Sequence, residues 1–371
     1  MRNPILGSLL VLLSPAAAGD LSRLLEDARL LASPGSLKPA QGRTSAVYRA
    51  RPGEYQFNLH SYIARHEGKF RAVWSSGLVD EDSNGQVIRY ASSADGHAWS
   101  ESGILAADPD GMGGPGFWIA RGVFVSNGRL NALIAYVRER KSQEWPGLRL
   151  MRYEWDGRRW RGAGVFLDDC MSNYPPRKLG SHWFMTCRDS MRRMYTALSP
   201  SLENGSWKVA PLPLADPGDN MSEPSEYVDP DGGVHLIFRD QGRSGFLRRS
   251  ISRDGGVTWT PPVRTNYPDA TSKNFSGRLS NGWYYLINNP DQKRRDPLAI
   301  TFSRDGWTFS RPLSLRAGAP EQRFPGRSKN KGSFQYPHAV EHAGSLWVIY
   351  STNKEDIEIS EFPIASFGLP K

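Results

Sequence analysis

Three copies of one short pattern constrain this chain more than any other feature: Ser93-Ala94-Asp95-Gly96-His97-Ala98-Trp99, Ser252-Arg253-Asp254-Gly255-Gly256-Val257-Thr258-Trp259 and Ser303-Arg304-Asp305-Gly306-Trp307-Thr308-Phe309. Ser-x-Asp-Gly ahead of an aromatic reads as a hairpin turn, in which the carboxylate accepts turn amides, glycine takes the positive φ and the aromatic packs beneath. Two degraded copies, Glu154-Trp155-Asp156-Gly157-Arg158-Arg159-Trp160 and Asn204-Gly205-Ser206-Trp207, fall between the clear ones. The turn glycines Gly96, Gly157, Gly205, Gly255 and Gly306 are 61, 48, 50 and 51 residues apart. That is the length of one four-stranded blade with its loops, and repeats at that period mean a radial array. Five turns plus a terminal blade predict an all-β, six-bladed β-propeller. The last blade takes strands around 334–340, 345–351 and 356–362, and an N-terminal strand near 46–49 closes the ring, which removes free sheet edges.

Composition favours strands: 37 Gly, 27 Pro and 12 Trp in 371 residues suit short strands and tight turns better than helices. Alternation or short apolar runs mark strands at 70–74, 130–136, 234–238, 283–287 and 346–350. Helical spacing occurs at 21–32, where Leu21, Leu24, Leu25, Ala28 and Leu31 share a face, and it predicts one short helix before the propeller. Because a repeat array is one domain however long it runs, the expected organisation is a leader over 1–18, a short extension over 19–44 and a propeller over 45–371.

Met1-Arg2-Asn3, the apolar run 5–13 and Ala16-Ala17-Ala18 have the form of an export signal cleaved near Gly19. The run is too short to span a bilayer, so a periplasmic or secreted protein without a membrane span is expected. Export permits a disulfide between the two cysteines, Cys170 and Cys187, across neighbouring strands of the third blade, although two buried thiols fit the sequence equally well. The formal net charge of +9 is dispersed, which argues against nucleic acid as a partner. Arg248-Arg249 and Lys293-Arg294-Arg295 are basic clusters that can draw an anionic ligand if they converge on one face. No nucleotide, haem or zinc motif appears, and the acidic run Asp80-Glu81-Asp82 lacks the spacing of a dedicated calcium loop. Neither a cofactor nor a metal is expected, and the chain is expected to be a monomer.

The boxes and their flanks resemble the sialidase superfamily, six-bladed propellers whose turns are called Asp boxes or bacterial neuraminidase repeats, over roughly residues 45 to 365. Boxes also occur in non-enzymatic propellers and in carbohydrate lyases, so the functional expectation rests on three further stretches. In Ser222-Glu223-Pro224-Ser225 leading to Leu236-Ile237-Phe238-Arg239-Asp240, Glu223 and Arg239 stand sixteen residues apart, like the family's Glu and Arg at the ends of neighbouring strands. Asn288-Asn289-Pro290 through Arg295-Asp296-Pro297-Leu298 is similar to the family's Asn-Pro loop, with Arg295 as its arginine and Arg294 as a slip of register. In Ser333-Phe334-Gln335-Tyr336-Pro337-His338, Tyr336 matches the catalytic tyrosine.

These residue types make chemical sense together. Sialic acid carries a carboxylate on its anomeric carbon, and guanidinium forks such as Arg239 and Arg295 grip a carboxylate bidentately. An anionic nucleophile would be repelled there, so a neutral tyrosine, Tyr336, deprotonated by Glu223 as it attacks, replaces the usual carboxylate. The proton donor is expected in the loop after the second strand, with Asp82 favoured, Asp80 the runner-up and Glu81 beside them. The family's third arginine lies in an Arg-Ile-Pro motif on the first blade, where this chain reads Phe57-Asn58-Leu59-His60-Ser61-Tyr62-Ile63-Ala64. His60, Arg65 or Arg177 is the substitute to look for. The expected function is an exported exo-glycosidase releasing a terminal acidic sugar, sialic acid or another ulosonic acid, with retention. The alternatives are a lyase or glycosidase acting on uronic-acid glycans, in which His60 would pair with Tyr336 or Tyr62, and a carbohydrate-binding propeller without turnover. The loops 108–117 and 318–333 are expected to set linkage preference.

Overall fold

A computed structural model describes residues 20–107, 116–139, 144–203, 205–214, 220–326 and 332–370. The expected export signal lies outside the described residues, as do most of loop 108–117 and part of loop 318–333.

Six antiparallel sheets, each with a four-stranded main path, follow one another in chain order, as the repeat period predicts. The innermost strands are Phe57–His66, Phe117–Ser126, Met171–Ser172 with Arg177–Leu179, Met221–Val228, Phe275–Arg278 and Phe334–His342, for blades 1 to 6. In blade 6, Arg43–Tyr48 pairs antiparallel with Asp356–Pro363, joining Arg43 to Glu361 and Tyr48 to Ile357. The first strand of the chain therefore completes the last blade, and ladder hydrogen bonds close the ring.

Each Asp box joins the third and fourth strands of its blade. In the first, Asp95 Oδ1 accepts the amides of His97 and Ala98, both at 2.9 Å, while Ser93 Oγ accepts the amide of Gly96 at 2.8 Å. Asp254 and Asp305 repeat this arrangement. The boxes also fasten one blade to the blade before it. Tyr227 of blade 4 donates to Gly306 O at 2.8 Å, His182 of blade 3 meets Gly255 O at 2.7 Å, and a Cβ at Gly96 would overlap the Trp347 ring of blade 6. Glycine is required at these turns both for φ between 73° and 79° and for close approach of the neighbouring blade.

The expected helix at 21–32 does not form. Only Ala28–Leu31 makes a 3-10 turn, and the preceding segment is extended against blades 4 and 5. Glu26 N donates to Phe309 O and Phe309 N to Leu24 O, both at 2.9 Å, while Asn266 Oδ1 accepts the amides of Leu24 and Leu25. Buried Arg249 collects the carbonyls of Asp20, Leu21 and Trp307. Leu24, Leu25 and Leu31 are buried beside Tyr227, Tyr267 and Phe309. Tertiary partners for the backbone here replace the i to i−4 bonds that a short isolated helix would make only marginally.

Cys170 and Cys187 form a disulfide within blade 3, which decides between the two readings the sequence leaves open. No helix among the described residues is long and apolar enough to cross a membrane.

Candidate active site

The inner strands carry a shared irregularity. In blades 1, 2, 4 and 6 the ladder to the second strand shifts register once, between Leu59 and Tyr62, Ala120 and Gly122, Ser222 and Ser225, and Gln335 and His338. The displaced residues include His60, Arg121, Glu223 and Tyr336. A bulge leaves a residue outside the ladder and re-aims its side chain. His60, Glu223 and Tyr336 adopt left-handed φ of 54°, 51° and 57°, a conformation that costs a non-glycine residue about 1–3 kcal/mol and persists only where packing over-determines it. Pro224 and Pro337 follow two of these residues and have no amide to contribute to the ladder. After Arg121 comes Gly122, where a Cβ would overlap Pro175 of the next blade.

The bulges bring Glu223, Arg239 and Tyr336 together. Arg239 Nη1 donates to Glu223 Oε2 at 2.6 Å and to the Tyr336 hydroxyl at 2.8 Å. Arg295 lies on the same tyrosine, with its Cζ 5.7 Å from the ring centroid, compared with 5.9 Å for Arg239. It is held by Gln335 Oε1 at 2.5 Å and Thr271 O at 2.9 Å, whereas Arg294 is exposed, so the register-slip alternative falls away. The His60 ring is 5.3 Å from that of Tyr336. Burial, together with the charges of Arg121 and Lys273, pushes its imidazole well below the usual histidine range and keeps it neutral.

Electrostatics make Glu223 an obligate carboxylate in the free protein. Burial alone would raise its pKa, but the surrounding cations Arg239, Arg188, Lys273 and Arg121 hold it far below the ordinary carboxylate range. Arg239 is correspondingly raised, because Tyr336 and Glu223 outweigh its burial. Lys273 sits deeper in the channel, donating to the Tyr62 hydroxyl at 2.7 Å and to Asn173 O at 3.1 Å.

One expectation from the sequence changes. Arg177 is not part of the cluster: it lies 3.5 Å from Glu226 and lines a separate cavity of about 400 Å³ at the far ends of the inner strands, beside Tyr174, Phe275 and His338. Its strand enters blade 3 after the Pro175-Pro176 pair, which carries it away from the bulge level. Arg65 faces the same far cavity and stacks on Phe70. In the loop after the second strand, Glu81 meets the cluster, with Oε2 at 2.6 Å from Lys354 and Oε1 at 3.8 Å from His60 Nε2. Asp82 stands next to it at φ 52°, its amide donating to Gln86 Oε1 at 3.0 Å.

Arg121, Arg188, Lys273 and Lys354 join the site without having been expected from the sequence. A cation inside an otherwise apolar inner strand and just before a glycine is an available signal for Arg121. The role of Arg188 depends on how blades 3 and 4 meet, which one strand's sequence does not carry. No group of three or more potential metal ligands occurs among the described residues.

Comparison with known proteins agrees with this architecture. No curated protein matches the chain. Solved structures similar to it include a sialidase at 20% identity and TM-score 0.65, over 88% of this chain and 33% of that one. Hadza microbial sialidase Hz136 is similar at 16% identity and TM-score 0.69, over 88% of this chain and 69% of that one. A leech intramolecular trans-sialidase complexed with 2,7-anhydro-Neu5Ac shares 10% identity at TM-score 0.66, over 92% and 73%. The chain thus spans a third of the length of the first of these, and at such identities the likeness is one of fold. The family model for the BNR repeat-like domain matches residues 68–348, three quarters of the chain, and the protein belongs to that family.

Proposed function

We propose that the protein is an exported retaining exo-glycosidase of the sialidase type that releases a terminal acidic sugar, sialic acid or a related ulosonic acid, from a glycan. The observation that carries this reading is the single guanidinium nitrogen of Arg239 within hydrogen-bonding distance of both Glu223 and the Tyr336 hydroxyl. In this reading the substrate carboxylate docks on Arg239 and Arg295, orienting the anomeric carbon over Tyr336. Tyr336 Oη forms the new bond to that carbon as its proton passes to Glu223, and the leaving oxygen takes a proton from the Asp80–Asp82 loop, with Asp82 or Glu81 as donor. Water then attacks the anomeric carbon of the tyrosyl glycoside while the same loop acid, now a base, takes its proton; the bond to Tyr336 Oη breaks and the phenol recovers its proton from Glu223, which gives net retention.

The reading is tested by incubating the mature protein with a fluorogenic sialoside and a panel of acidic polysaccharides, beside Tyr336→Phe, followed by mass analysis of products. Free sialic acid, lost in the variant, supports it, and inertness toward every ulosonic acid glycoside overturns it. Asp82→Asn and Glu81→Gln separate the proton donors: loss of the true donor slows natural glycosides far more than aryl glycosides, whose leaving groups need no protonation.

One observation favours a second reading. Neutral His60 next to Tyr336, where the sialidase pattern has an arginine, is a base and acid pair suited to eliminating across a uronic acid. An unsaturated product absorbing in the near ultraviolet would identify that lyase chemistry.

A further inference from the structure

Glu223 faces an arginine at each of its oxygens. Arg239, from the strand Val234–Asp240 of blade 4, takes Oε2 at 2.6 Å, and Arg188, ending the strand His182–Arg188 of blade 3, lies 3.7 Å from Oε1. Arg188 is fixed from behind, with its Cζ 5.0 Å over the Trp145 ring and its Nη2 3.9 Å from Met171 Sδ. The space that it encloses with Arg121, Met171, Ser172, Asn173 and Glu223 has no room for a water-sized sphere. On that side Arg188 is packed directly against Glu223, with no room for water between them.

The remaining groups that act on Glu223 come from the other blades. Arg121 projects from blade 2 and Lys273 from blade 5, blade 1 contributes His60 and Tyr62, and Tyr336 of blade 6 shares Arg239 with Glu223. Tyr174 lies below, in blade 3. Lys273 is committed to Tyr62 and Asn173, and burial drives its ammonium well below the usual lysine range. Resting on the proposed function, an arriving anionic substrate draws Arg239 toward itself and away from Glu223. A buried carboxylate left without a close cation takes up a proton and can no longer accept one from tyrosine.

We infer that Arg188 is a positioning residue of the reaction: it holds Glu223 ionised from blade 3 while Arg239 is engaged by the substrate, so that Glu223 remains a base when Tyr336 attacks. Arg188 thus joins Arg239, Arg295 and Arg121 at this site, directed at the base and not at the substrate.

The test is an infrared difference titration of the Glu223 carboxyl in the whole protein, assigned with Glu223→Gln, for wild type, Arg188→Met and Arg188→Lys. Arg188→Met is expected to raise the Glu223 pKa by about one to three pH units, and Arg188→Lys to bring it part of the way back. Where sialoside turnover is measurable, the acid limb of the kcat profile moves up with it while KM changes little. An unmoved Glu223 titration in a variant with wild-type circular dichroism and melting overturns the inference. Arg188→Gln carries the same expectation if the methionine variant does not fold. Because the titration needs no turnover, inertness toward sialosides counts against the substrate reading and leaves this measurement decisive.

Discussion

The Tyr336 hydroxyl accepts a 2.8 Å hydrogen bond from Arg239, a residue 97 positions earlier in the chain and two blades away. In the proposed reaction this contact fixes the hydroxyl oxygen before Glu223 takes its proton and the oxygen becomes a nucleophile. The ring packs beside Phe57 and Leu59, and phenylalanine fills the same space without the oxygen. Tyr336→Phe is therefore expected to melt close to wild type while kcat on a fluorogenic sialoside falls by at least about a hundredfold. Undiminished turnover would remove Tyr336 as nucleophile.

Arg295 tests the carboxylate clamp. Two of its nitrogens are already held, by Gln335 and Thr271, which presets the plane of the fork before substrate arrives. Lysine keeps the charge but has neither the plane nor a second donor nitrogen. Arg295→Lys should lower kcat/KM by about a hundredfold and weaken a carboxylate-bearing 2,3-didehydro sialic acid inhibitor by a similar factor. The same inhibitor reduced to its C1 alcohol should bind wild type and variant alike. Equal losses for both inhibitors would mean that Arg295 acts through packing.

The propeller is legible because its repeat is local: a box needs only its own five to eight residues to form, and five boxes at blade spacing count the blades. Blade 6 lacks a box for a physical reason, since its fourth strand, Arg43–Tyr48, arrives from the other end of the chain and leaves no turn to be made there. Glu223, Arg239, Arg295 and Tyr336 are legible through the family's order of residues, and the Pro224 and Pro337 that follow two of them mark the bulges that aim them. What the sequence hides depends on contacts between blades. Arg188 and Arg121 act on Glu223 from two other sheets, blades 3 and 2, and Arg177 shares the cationic character of Arg188 yet ends at the opposite mouth of the channel. The segment 21–32 has helical spacing, but Asn266 and Phe309 offer its backbone better partners than its own turns do.

The disulfide lies 17 residues apart in sequence, in the blade whose inner strand is broken into two short pieces, Met171–Ser172 and Arg177–Leu179. Few ladder bonds hold that strand, so covalent closure matters more here than in the other blades. The double variant Cys170→Ala with Cys187→Ala should lose about 3 kcal/mol in denaturant unfolding. Because Met171 and Ser172 lead to Glu223 and Arg121 across the blade interface, the loss should appear first as hydrogen exchange in blade 3. A double variant with unchanged unfolding would place the bond outside the cooperative core.

Asp269 gives the fold its own pH dependence. It is fully buried at the entry to blade 5, where Oδ2 accepts the Ser272 amide at 3.0 Å and Oδ1 the Asn288 side chain at 3.2 Å. Burial raises its pKa from 3.8 to about 6, with the Ser272 amide, Asn288, Arg239 and Arg295 only partly offsetting it. A carboxyl raised in the folded state binds more protons there than in the unfolded chain between pH 4 and 6, so its contribution stabilises the fold at low pH and is lost as pH rises through about 6. A carboxyl held that far above its ordinary value loses about 3 kcal/mol of stabilisation across the window. Asp269→Asn cannot ionise, so its stability relative to wild type should improve by up to that amount between pH 4 and pH 7, read as the difference between urea unfolding free energies at the two values. A wild-type-minus-variant difference that stays flat across this range would mean that Asp269 titrates as an ordinary carboxyl.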